Sequence, residues 1–70
     1  MTGAEKQYIE KHILKLVTDN SKGVTIDTIL EYLDYVNKVN YSHEDIMPIL
    51  KQLIFESKIS NTANLFILEK

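Results

Sequence analysis

The chain has no cysteine, no arginine and no tryptophan, and only one proline and two glycines among its 70 residues. Without cysteine there can be no disulfide framework, thiolate zinc site or cysteine nucleophile. Without arginine the chain lacks the side chain that most often reads guanine edges in the major groove. Lysine is the only strong base, and eight lysines stand against ten acids for a net charge of −2. A dedicated DNA-binding domain usually carries a basic footprint instead. Gly3 and Gly23 are isolated and form no phosphate-cradling loop. No apolar run approaches the ~18 residues that a membrane span needs. The segment Met1–Lys6 has no basic region followed by an apolar run, so no secretory signal is expected. These absences lead to the expectation of a soluble intracellular protein, in cytoplasm or nucleus, without membrane contact.

What is present reads as an ordinary globular chain, 44% apolar and 26% charged. The length suits one domain over residues 1–70. A chain this short buries roughly 60% of its extended surface, so it is marginal alone. The expectation is that it leans on a dimer partner or is a module of a longer protein.

Periodicity divides the chain into five elements. Residues 5–19 read as a first helix, with Ile9, Ile13, Leu16 and Val17 on one face, Tyr8 and His12 at its edge, and Lys11 and Lys15 opposite. Asp19 to Gly23 is a stop signal, and Val24 is a short extended link. Thr25 caps a second helix that runs to about Val36 or Lys38, with Ile26, Ile29, Leu30, Leu33 and Val36 as its apolar stripe. Asp27, Glu31 and Asp34 gather on a solvated flank. Asn37 to Tyr41 is a turn. Ser42, with Asp45 three residues on, resembles a capping box opening a third helix that runs to Ser57. The period then becomes strand-like: Lys58–Asn61 and Leu65–Glu69 flank the turn Thr62-Ala63-Asn64 and read as a β-hairpin.

Helix, extended link, helix, helix, hairpin is the order of a winged helix-turn-helix, an α+β fold of three helices plus a short C-terminal β-hairpin wing. Leu50, Leu53 and Ile59 stand where that superfamily places its core leucines and first hairpin apolar residue, so the chain resembles it over almost its whole length. Ser57 departs from the pattern, since many members have glycine there. From Gly23 to Leu68 the chain looks most like two replication modules. One is the C-terminal winged helix of the replication protein A middle subunit, the other that of minichromosome maintenance helicases. The resemblance implies a small docking module of nucleic-acid machinery.

The third helix sits where a recognition helix would, yet its side chains point elsewhere. With Ile46 at zero and about 100° per residue, Leu50, Leu53 and Ile54 join Ile46 on the core face, with Ile49 at the edge. Phe55 falls at about 180°, Pro48 at about 200° and Met47 at about 100°. An apolar outer face with a charged rim is the form of a protein-docking surface. Met47, Pro48, Lys51, Gln52 and Phe55 are therefore the candidate partner-binding residues. Alternatively, Phe55 packs under the hairpin or the N-terminal arm. Pro48 either kinks this helix or lies in the first turn of its regular part.

Lys51, Lys58, Asn61 and Asn64 are the candidate nucleic-acid contacts, although Glu44, Asp45 and Glu56 outnumber Lys51 in the third helix. His12 and His43 lie on separate helices and suggest no metal site. No catalytic residue and no cofactor is expected, and the length leaves little room for a pocket. Tyr32, Tyr35 and Tyr41 either form an aromatic cluster between the second and third helices or, the favoured reading, pack half-buried or in the core. The leading expectation is thus a non-enzymatic module that docks a protein partner through the third helix and the wing. The alternative is a small dimeric DNA-binding transcription regulator, viral or plasmid-borne, that brings two recognition helices onto duplex half-sites.

Overall fold

The structure is a computed structural model that describes residues 2–69. Three helices, α1 (Gly3–Asp19), α2 (Ile26–Asn37) and α3 (His43–Phe55), precede two strands, β1 (Ile59–Thr62) and β2 (Leu65–Leu68). The fold is α+β, with the layout of a winged helix.

Each helix starts at a hydroxyl cap in extended backbone. Thr2 Oγ1 accepts from the Glu5 N–H at 3.1 Å, so α1 begins two residues before the expected position. Thr25 caps α2 through the Thr28 N–H. Ser42 and Asp45 form a reciprocal capping box on α3, with Asp45 in the role usually held by Glu. Its carboxylate also complements the positive end of the helix dipole.

The core draws Ile9, Ile13 and Val17 from α1, Ile29 and Leu33 from α2, and Ile46, Ile49, Leu50 and Leu53 from α3. Val24, Ile59 and Phe66 close it from the sheet side, and Tyr41 from the α2–α3 loop. Each fully buried aliphatic side chain contributes roughly 1.5–3 kcal/mol of transfer free energy. Leu16 is only half-buried, and Leu14, on the other side of the α1 stripe, also packs against the core.

The hairpin is antiparallel in the register Ile59↔Leu68, Ser60↔Ile67, Asn61↔Phe66 and Thr62↔Leu65. Thr62 belongs to the strand, and the loop is the pair Ala63-Asn64. Val24 makes an isolated antiparallel bridge to Phe66 on the other side of β2. The extended link therefore ties the wing to the helices.

α3 ends in a Schellman motif. The Lys58 N–H donates to the Leu53 carbonyl and the Ser57 N–H to the Ile54 carbonyl, both at 3.0 Å. Ser57 takes the left-handed conformation at φ 60°. The turn that glycine would favour is thus made by serine, at a steric cost that glycine would not bear.

The three tyrosines do not cluster. Tyr41 is buried and its hydroxyl donates to the Glu5 carboxylate at 2.9 Å, turning toward α1. Tyr32 instead faces His12, ring centroids 5.9 Å apart, while Tyr8 meets the same imidazole edge-on at 4.3 Å. Tyr35 is exposed, with the Lys38 ammonium 5.6 Å above its ring. All three side chains are the same, so position decides: each ring meets what its place on α2 or the α2–α3 loop brings within reach, Glu5 for Tyr41, His12 for Tyr32 and solvent for Tyr35.

Candidate protein-docking face

α3 is helical without interruption from His43 to Phe55, with Pro48 inside it. Its regular part does not restart near Met47. Pro48 withholds the N–H that the Glu44 carbonyl would otherwise accept. Both residues are exposed, so water can serve that carbonyl.

The core face of α3 is rotated relative to the expectation. Ile49 is 2% exposed and Ile54 is 36% exposed, so the two exchange roles. The four buried residues Ile46, Ile49, Leu50 and Leu53 centre at about −10° on the wheel, leaving Ile54 about 90° away. The rotation carries Phe55 almost diametrically away from the core. Phe55 is 83% exposed and packs neither under the hairpin nor under the N-terminal arm. Pro48 and Lys51 are exposed beside it.

The candidate residues separate into three places. Pro48, Lys51 and Phe55 share the outer stripe of α3. Gln52 and Lys58 converge on Glu56: the Gln52 amide donates to its Oε2 at 3.0 Å, and Lys58 Nζ lies 3.4 Å from its Oε1. These bonds, Gln52 first, hold the Glu56 carboxyl below its ordinary range. Glu56 was no candidate, although the i, i+4 spacing from Gln52 was visible in the sequence.

Met47, the third place, is half-buried against the core and lines a cleft with Asn61 and Asn64. Thr25, Ile26 and Asp27 of the α2 start and Phe66 of β2 complete its wall, around a volume of about 380 Å³. Chain length argued against a pocket. The wing creates this one by folding back toward the first turn of α2.

The electrostatics of the two helix-turn-helix elements are acidic. Between Ile26 and Phe55, Asp27, Glu31, Asp34, Glu44 and Asp45 stand against Lys38 and Lys51. All of these acids are exposed. At the mouth of α3, His43 Nε2 lies 3.1 Å from Asp27 Oδ1, linking the first turns of α2 and α3. Lys11, Lys15 and Lys22 lie in and after α1, exposed. A duplex approached by α2 and α3 would meet carboxylates where phosphates need cations.

Among the described residues, no three His, Asp or Glu side chains gather as a metal site, and no helix is long and apolar enough to cross a membrane. No family model matches the chain, and neither does any curated protein or solved structure.

Proposed function

We propose that this chain is a non-enzymatic winged-helix docking module of nucleic-acid machinery, binding a protein partner through the outer face of α3 and the adjoining wing. The observation that carries the reading is Phe55, 83% exposed on the stripe that holds Pro48 and Lys51. A phenyl ring left in water forgoes roughly 1.5–3 kcal/mol of burial. A partner surface that covers it recovers that free energy, and exposed aromatics rimmed by charge are the usual anchors of protein interfaces. The acidic balance of α2 and α3 supports a protein over a nucleic-acid ligand. The link to replication or transcription rests on the resemblance alone.

The competing assignment is a dimeric DNA-binding regulator using Lys51, Lys58, Asn61 and Asn64. Lys58 is already engaged by Glu56, which weakens it as a phosphate contact. Fluorescence anisotropy with a random duplex in about 20 mM salt separates the two. The docking assignment expects no binding up to tens of micromolar protein. Binding that weakens steeply with added salt would transfer the assignment to the DNA regulator.

A further inference from the structure

The ionisable side chains of α3 and its C-cap differ in whether the chain supplies them a partner. His43 has Asp27, Asp45 has the Ser42 backbone, and Glu56, capping the helix, has Gln52 and Lys58. Among the described residues, Glu44 and Lys51 make no ion pair or side-chain hydrogen bond, and both are exposed. They stand at about 160° and 140° on the wheel, on the stripe of Phe55 and Pro48. One acid and one base, seven residues apart with Pro48 between them, form a pattern that complements itself when reversed.

Resting on the reading of this stripe as a protein-docking face, we infer that its occupant is a second copy of this chain, paired antiparallel α3 to α3 about a two-fold axis. An axis running between the two helices, level with the Met47–Pro48 step, sets Glu44 of each copy against Lys51 of the other. The two residues lie about 10 Å apart along the helix, so both ion pairs form at once. The same register carries Phe55, about 11 Å from the axis, over the segment that leads into α3 of the second copy. That segment includes Val39, 43% exposed. The patch thus has ion pairs flanking its centre and an apolar contact at each end. The contact is isologous, the commonest way for like chains to associate. A single helix face is smaller than the ~800 Å² per partner of a standard interface, which places the dimer among weak, transient associations.

Sedimentation equilibrium from about 5 µM to 1 mM tests this, using the wild type, Glu44→Lys, Lys51→Glu, the double variant Glu44→Lys/Lys51→Glu, and Phe55→Ala. Circular dichroism melting is run in parallel. Each single charge variant places like charges across the axis twice and weakens dimerisation by about tenfold or more. The double variant restores opposite charges and returns within about threefold of wild type. Phe55→Ala stays folded and weakens the dimer. A wild type that remains monomeric at 1 mM, or a double variant no better than either single, overturns the second-copy inference. In that event a folded Phe55→Ala still leaves the docking face standing. Loss of the fold in Phe55→Ala would show the ring to be part of the core and would remove both.

Discussion

Val24 and Phe66 exchange two backbone hydrogen bonds, Val24 N–H to Phe66 carbonyl at 3.0 Å and Phe66 N–H to Val24 carbonyl at 2.7 Å. The pair joins the α1–α2 link to the wing, and both side chains are buried. A two-stranded hairpin is marginal in water by itself. This clasp, together with burial of Phe66 and Ile59, holds the wing against the helices and so shapes the cleft beside Met47.

Gly23 makes the clasp feasible. It sits at φ +101°, and a Cβ there would lie 2.8 Å from Ile67 Cγ2 and 3.0 Å from Leu65 Cβ. Gly23→Ala adds backbone strain to overpacking and is expected to cost about 2–4 kcal/mol. Thermal unfolding checks this, with a fall in midpoint on the order of 10–20 °C. Gly3→Ala serves as the control, because nothing lies within 4 Å of its added carbon.

Left-handed backbone at non-glycine positions offers the opposite opportunity. Ser57 closes the α3 Schellman motif at φ 60°, and Ala63 takes φ 57° at the first position of the two-residue hairpin loop. Positive φ at the first loop position is the pattern of a type II′ turn, which favours glycine there. Ser57→Gly and Ala63→Gly should each stabilise the fold by about 0.5–1 kcal/mol, less than the full left-handed strain because glycine costs chain entropy. Ser57→Ala, which keeps the strain, should give no such gain. Urea denaturation at constant slope distinguishes the three.

The Tyr41 phenol links the α2–α3 loop to the first turn of α1. Burial raises its pKa above the ordinary 10.0; the bond from the Asn37 amide opposes this, and the Glu5 carboxylate adds to it. The folded chain therefore holds this proton more tightly than the unfolded one. The resulting stabilisation is complete below pH 10.0 and is lost as pH rises beyond it, because unfolding then releases a proton. Tyr41→Phe should cost about 1 kcal/mol at neutral pH. The difference between wild type and variant should shrink as pH climbs above 10, measured by denaturant titration at each pH.

Much of this fold was legible because its signals are local. Thr25 and Ser42 precede periodic apolar stripes, the turn residues Asp19 to Gly23 follow one, and the change of period after Ser57 marks the hairpin. The misses arise where neighbours decide. Ile49 and Ile54 both flank the same helical stripe, and only the packing of the other elements against α3 chooses between them. Tyr41 and Tyr35 are the same residue type six positions apart, yet one finds Glu5, distant in sequence, and the other finds water.

The candidate site divides along the same line. By itself the sequence determined the acidic character of α2 and α3, the absence of arginine and cysteine, and the position of Phe55 opposite the apolar stripe. These follow from composition and from helical geometry at about 100° per residue. Tertiary structure decided that Phe55 stays in water and that Met47 turns into a cleft with Asn61 and Asn64. Phe55 stays in water because no element packs across it, whereas the cleft needs residues of α2, α3 and the wing to arrive at one point, and that arrival depends on how the core closes and where the Val24–Phe66 clasp sets the wing.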